Sequence, residues 1–285
     1  MEGLVRCAVC ARACLVSRME GPSGPCQMGR NARVSSCFPH FGEEAPISGR
    51  RGSGTIFFSG CNLECVYCQN SEISHGNEGR EVTDDQLAAM MLRLQEVGCH
   101  NVNLVSPSHV VPQFLAALAL AVEAGFRLPI VYNTGGYDSL ATLRLLDGIV
   151  DIYMPDAKYD DDRIAERLSG IRNYVRVNRL ALKEMYRQVG NLRTDEEGIA
   201  VRGLLVRHLV LPNGLAGTTG VVRFIATTLS ADTYVNIMPQ YRPCYRAMEF
   251  KGLGRRITVE EFEEALSAAR AEGLSRGLPL KSIRP

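Results

Sequence analysis

Tryptophan is absent from all 285 residues, and Phe and Tyr bring the aromatic content to only 7%. Proteins that hold single-stranded nucleic acid stack bases on aromatic rings set among basic residues, and no such interleaving occurs here. An excess of one charge is missing too: 32 Lys and Arg against 31 Asp and Glu leave +1 at pH 7, a value silent about nucleic acid. Long apolar runs are also lacking. The longest, FLAALALAV from Phe114 to Val122, is far short of the roughly 20 residues a membrane-spanning helix requires, and the N-terminus shows no secretory apolar segment. A cytoplasmic protein without a membrane partner is expected. No linker-like stretch divides the chain, and at 46% hydrophobic residues it can bury one large core plus a small appendage.

Cysteine, by contrast, is plentiful, and most of its ten residues are bunched at metal-type spacings that suit thiolate ligands in a reducing compartment rather than a disulfide scaffold. Cys61, Cys65 and Cys68 fall within CNLECVYCQN as C-x3-C-x2-C. A tetrahedral structural zinc site takes four ligands, usually as two separated pairs. Three thiolates on one tight loop leave such a site unclosed, whereas a [4Fe-4S] cluster held by three keeps one iron open to a substrate or cofactor. A zinc site or an accidental cluster has to explain the missing fourth ligand. Upstream, Cys7-x2-Cys10-x3-Cys14-x11-Cys26 offers four thiolates, enough to close a second site around zinc or a second iron-sulfur cluster. Cys37 and Cys99 read as small buried apolar residues.

Beyond Cys68 the pattern alternates between helix and strand, the mark of a parallel sheet covered by helices. TDDQLAAMMLRLQEVG opens on a capping threonine and sets Leu87, Met90, Met91, Leu94 and Val97 on one stripe. A second helix from about His109 carries Pro112 in its first turn, a third lies near Ser139 to Leu146, and ITVEEFEEALSAAR closes the chain. Strands are expected at TIFFSG, NVNLV, PIVYN, VDIYMP, LLVRHLVL and TYVNIMP. Six parallel strands suit a partial (β/α)6 barrel, and periodicity alone also permits an open doubly wound sheet. In either, the active site sits at the carboxyl ends of the strands.

The run GSGTIFFSGCNLECVYCQN, with Tyr67 directly before the third cysteine, resembles the cluster loop of radical S-adenosylmethionine (SAM) enzymes, the pyruvate formate-lyase activating enzymes and their relatives in particular. The resemblance implies an α/β fold of the partial (β/α)6 TIM-like barrel type. It also implies a [4Fe-4S] cluster on Cys61, Cys65 and Cys68, with SAM at the open iron as source of a 5′-deoxyadenosyl radical that abstracts hydrogen. Two segments are expected: a cysteine-rich extension over residues 1–48 and a radical SAM core over 49–285.

Further site residues follow from the strand ends. Ser106-Pro107-Ser108-His109 stands where the activating enzymes carry a glycine-rich turn for the SAM amino group, and Ser106 and Ser108 offer hydroxyls there, although Ser108 equally suits a helix cap. Asn133 and Thr134 occupy a position where relatives hold aspartate and threonine. MPDAK matches the family's M-x-D-x-K, which makes Asp156 and Lys158 candidates for the SAM ammonium and carboxylate, against an ordinary ion pair. Arg207 matches an arginine for the SAM carboxylate or ribose. Tyr241 replaces a family histidine, and Cys244 beside it is a weak candidate hydrogen donor whose bland alternative is a buried thiol. His40 and His208 are expected either near the cavity or in structural roles.

Partners implied by the resemblance are an electron donor such as flavodoxin or ferredoxin and a glycyl radical enzyme as protein substrate. Radical modification of a small molecule, RNA or another protein is the alternative, and a non-catalytic metal or electron-transfer protein the remote one. A basic stripe, Arg172, Arg176, Arg179, Lys183 and Arg187, reads as an acceptor for an acidic or phosphate-bearing partner or as a solvated face.

Overall fold

A computed structural model describes residues 2–76 and 78–279; the last six residues of the expected core segment lie outside the described residues. Six strands run parallel in consecutive order: β2 (Ser53–Phe58), β4 (Val102–Val105), β5 (Ile130–Thr134), β6 (Ile152–Pro155), β8 (Ala200–Leu209) and β9 (Tyr234–Met238). These are the six read from the apolar patches, and the partial TIM-like barrel is the arrangement they adopt. Three further strands, β1 (Ala32–His40), β3 (Arg80–Val82) and β7 (Arg193–Thr194), add antiparallel pairings at the rims. β1 lies inside the segment expected as an extension, yet it pairs with β2 from Val34↔Phe58 to His40↔Ser53 and takes the edge at which a complete barrel would close.

Each crossover helix is dictated locally. Asp84–Val97 starts on Thr83, whose side chain accepts from Gln86 N while Gln86 reaches back in a capping box, and it stops at Gly98 in the left-handed region at φ 90°. It buries Leu87, Ala88, Met91 and Leu94. Val97, expected on the same stripe, is 48% exposed at the last residue of the helix. Val111–Glu123 accepts Pro112 in its first turn.

The buried apolar residues form three clusters, two of which follow the faces of the sheet. Between sheet and helices lies the large one, with Leu104, Phe114, Tyr132 and Leu204 fully buried. Inside the barrel, Val131, Ile152, Met154 and Leu205 pack against Ile47 from a single helical turn, Ala45–Ser48, that stoppers the bottom. The interior is thus filled below and open above, at the carboxyl ends of the strands. Residues 43 and 44 reach into it from the loop after β1.

Candidate active site

The cysteine loop begins where β2 ends. Its backbone is pinned from outside: Glu64 N donates to Ser169 O (3.1 Å), Val66 N to Leu168 O (2.9 Å) and Arg246 N to the carbonyl of Val66 (2.9 Å). Asn62 Nδ2 donates to Tyr137 O (2.7 Å). So held, Cys61, Cys65 and Cys68 all line one cavity of about 410 Å³ at the barrel mouth. Burial pushes the Cys61 thiol up to about 12 and raises Cys65 as well, Lys158 opposing the rise at Cys65. Such thiols ionise when a metal replaces their protons. Among the described residues no three His, Cys, Asp or Glu side chains surround a common single-ion position. What the loop presents is three thiols around a cavity wall, with no fourth thiol in that wall.

Most of the residues expected at the strand ends line the same cavity as the thiols. Ser106, Asn133, Asp156, Lys158, Arg207 and Tyr67 share the same wall. Ser106 is in the left-handed region at φ 58°, its amide donating to Asn133 O (2.9 Å), so the backbone after β4 is bent to face the cavity. Lys158 Nζ donates to Asp156 Oδ2 at 2.5 Å. Burial would lower Lys158, but the Asp156 carboxylate outweighs it and holds the ammonium well above its ordinary range. Arg207 reaches the cavity with its charge already engaged: Nε donates to Glu44 Oε1 (2.8 Å), Nη2 to Glu44 Oε2 (2.5 Å), and Glu43 completes the cluster. Burial would raise the Glu44 carboxyl, yet Arg207 holds it below the usual range. Asn103 donates to Glu43 (3.0 Å) and Asn236 to Glu44 (2.6 Å).

Other residues singled out in the sequence stand elsewhere. Ser108 neither caps a helix nor faces the cavity; it donates to Asp138 Oδ1 (2.6 Å) in a buried network with Thr134 and Tyr132. Tyr241 is 1% exposed and donates to Leu253 O (2.7 Å), its ring edge-on to Tyr67. Cys244 lies in the turn after Tyr241, its carbonyl accepting from Ala247 N (2.9 Å). His40 lines the cavity, whereas His208 is buried between Ala157 O (2.6 Å) and Thr218 Oγ1 (2.9 Å). In the basic stripe, Arg172 pairs with Glu166, Arg179 with Asp160, and Arg187 with Glu184 and Asp147, so much of its charge is locally neutralised. Cys7, Cys10 and Cys26 are buried and Cys14 is partly exposed; burial pushes the Cys10 thiol up to about 11.

Glu43, Glu44, Asp138 and Ser169 carry no sequence motif that marks them as site residues. FGEE reads as a surface turn, and nothing local announces that it enters a barrel. Asp138, four residues beyond Thr134, offered a signal only in hindsight of the turn between them, where Gly136 N donates to Thr134 Oγ1 (3.2 Å).

The comparisons agree with this geometry. The family model described as the Radical SAM superfamily matches residues 55–195. An uncharacterized protein of Methanocaldococcus jannaschii is 33% identical over 278 residues, 94% of this chain and 75% of that protein. Among solved structures, methylornithine synthase aligns with TM-score 0.51 at 16% identity, over 77% of this chain and 62% of its own. The structure described as native anSMEcpe with bound AdoMet and Cp18Cys peptide aligns at 0.51 and 12% identity, over 75% of this chain and 56% of that one. This chain therefore spans about three fifths of those two solved proteins, and at such identity they speak for the fold alone.

The chain belongs to the radical SAM superfamily. That family works with a [4Fe-4S] cluster and SAM and requires a reductant. The donor set at the barrel mouth fits both cofactors: soft thiols for iron, and a facing acid-base pair for an amino acid zwitterion.

Proposed function

We propose that this chain reductively cleaves SAM and directs the resulting hydrogen abstraction at a glycyl residue of a partner protein, as an activating enzyme does. One observation carries the first half: three thiols and an Asp-Lys pair share a single cavity at the carboxyl ends of parallel strands. The bound cofactors supply a one-electron cleavage of SAM that yields a 5′-deoxyadenosyl radical; the protein supplies position and shelter. Cys61, Cys65 and Cys68 are the iron ligands. Asp156 accepts from the SAM ammonium and Lys158 donates to its carboxylate. Their mutual bond opens to admit the zwitterion with no change in net charge, which keeps the electrostatic cost of exchange small. Ser106 and Asn133 supply neutral donors and acceptors beside them. Tyr67, its hydroxyl 2.5 Å from that of Tyr159, seals the wall behind Cys65 against water. Flavodoxin or ferredoxin is the proposed electron donor.

A second reading, radical modification of a small molecule, RNA or a non-glycyl protein site, is favoured by the substrate end. Tyr241 is withdrawn into the core, and Glu43 and Arg207 form part of the cavity wall instead. Anaerobic reconstitution with iron and sulfide, then SAM and dithionite, is expected to release 5′-deoxyadenosine, and Cys65→Ala to lower it at least about a hundredfold. Loaded protein that leaves SAM intact would refute the reaction. A glycyl doublet in the electron paramagnetic resonance (EPR) spectrum of a partner supports the first substrate class. Deuterium passing from another substrate into 5′-deoxyadenosine supports the second.

A further inference from the structure

The chain between Cys7 and Cys26 has almost no regular structure, a single bridge from Ser23 to Met28 aside. Its backbone is nevertheless sharply bent. Ala13, Leu15 and Gln27 take φ of 42°, 59° and 49°, values that L side chains adopt rarely and that need something to hold them. Cys7, Cys10 and Cys26 are buried within it. Cys14 stands beside them, since a Cβ added to Gly24 would lie 3.2 Å from its sulfur. Cys26 is within electrostatic reach of both Cys7 and Cys14.

Arg18 makes this more than a group of thiols. Its residue is 1% exposed, and its guanidinium keeps its charge in any environment a protein offers. Among the described residues its contacts are neutral carbonyls and a sulfur: Nε donates to Gly29 O (3.0 Å), Nη1 donates to His109 O (2.7 Å) and lies 3.8 Å from Cys7 Sγ, and buried Nη2 has no hydrogen-bond partner. A buried cation facing only neutral groups is costly. Four protonated thiols leave that cost standing. Four thiolates around a divalent ion, or around an oxidised cubane, carry a net double negative charge and remove it. We propose that Cys7, Cys10, Cys14 and Cys26 form a closed four-thiolate metal centre, zinc or a second iron-sulfur cluster, with Arg18 as its buried counter-cation.

Such a centre would also brace the active-site loop. The Cys26 carbonyl packs so tightly on Gly60, at φ +75°, that a Cβ there would stand 2.3 Å from its oxygen. Arg12, between the second and third cysteines, donates to Asn62 O (2.7 Å) and pairs with Glu64 (2.8 Å). His109, held by Arg18 at its carbonyl, donates from Nε2 to Ser59 O (2.9 Å). Four contacts, three from this segment and one relayed through His109, thus fall on Ser59 to Glu64, the turn that leads into Cys61 and Cys65. The thiols are near one another without surrounding one point, so loading would draw them together, partly exposed Cys14 included.

The proposal stands apart from the reaction above, and its test keeps them apart. The triple variant Cys61→Ala, Cys65→Ala, Cys68→Ala, prepared anaerobically, removes the radical cluster and leaves the knot. Elemental analysis is expected to find about one zinc, or about four iron with matching sulfide, per chain, with X-ray absorption showing sulfur neighbours at about 2.3 Å. Adding Cys10→Ser and Cys26→Ser should cut that metal to under about a tenth. Arg18→Met, which keeps every ligand, should lose the metal to a chelator at least about tenfold more readily. The proposal is overturned if the folded triple variant holds neither metal and its four N-terminal thiols react freely with a thiol reagent. It is equally overturned if metal content ignores the Cys10 and Cys26 replacements, or if Arg18→Met holds metal as tightly as its parent.

Discussion

Hydroxyl groups behind Cys65 form a directed chain. Ser169 Oγ lies 3.0 Å from Cys65 Sγ, Tyr159 OH 2.7 Å from Ser169 Oγ, and Tyr67 OH 2.5 Å from Tyr159 OH. With Cys65 as a thiolate the three hydrogens can all point toward sulfur, Tyr67 donating to Tyr159, Tyr159 to Ser169, and Ser169 to Cys65. Donors to cluster sulfur favour the reduced, more negative state. Ser169→Ala is therefore expected to move the cluster potential to more negative values in an EPR-monitored redox titration, and an unmoved potential would remove Ser169 from this role. His208 is a second residue whose surroundings dictate its behaviour. Ala157 O accepts from Nδ1, so Nε2 is left to accept from the Thr218 hydroxyl, and burial pushes the imidazole down to about 4. The folded form resists a proton that the unfolded chain takes up near 6.5, so stability present above pH 6.5 is lost as pH falls toward 4, at about 1.4 kcal/mol per pH unit. Urea midpoints at pH 7 and pH 5 should draw closer together in His208→Gln; an unchanged gap counts against this assignment.

At the level of single elements, the helices stand on local rules strong enough to test one at a time. The capping boxes at Thr83 and Thr258 each satisfy two amides that would otherwise lack partners. Thr83→Ala is expected to cost about 1 kcal/mol, a Tm lower by about 3 °C in a calorimetric scan. The helix Tyr174–Val189 shows how the basic stripe forms a solvated, largely paired face. Its apolar face buries Ala181, Leu182 and Met185, and arginines flanking that face find acids on neighbouring turns, as Arg187 does with Glu184 and Asp147. Charges counted along one helix do not include those the fold delivers from the next.

Taken whole, the molecule is a barrel that does not close by strand pairing, because β1 takes the edge of β2 that β9 would need. A polar clasp closes it instead. Glu43 and Glu44, carried in after β1, tie Asn103 on β4 to Arg207 on β8 and Asn236 on β9. Arg207 is the one cation of this clasp, so Arg207→Leu leaves two buried carboxylates facing each other and is expected to cost about 3 kcal/mol, read from the urea midpoint. A variant as stable as the parent would mean that the strands hold without the clasp. If Arg207 serves the clasp rather than SAM, catalytic loss in a folded Arg207 variant should follow cavity shape and not the apparent affinity for SAM.

Period and spacing were enough to place the six parallel strands, the helices between them and the three-thiol loop, and the resemblance of MPDAK to the family's M-x-D-x-K singled out Asp156 and Lys158, because each is written within a few consecutive residues. Thr83 caps its own helix, and Cys61 to Cys68 lie on one loop whatever surrounds them. Only the tertiary structure could decide what distant segments do to one another. It brought Glu43 of FGEE into the cavity wall, engaged Arg207 with Glu43 and Glu44, withdrew Tyr241 and Ser108 into buried networks, and set Arg18 against Cys7 with no anion among its contacts in the described residues. The reason is physical: hydrogen-bond and charge partners are chosen by desolvation at contacts 11 to 192 residues apart, and no local pattern records them.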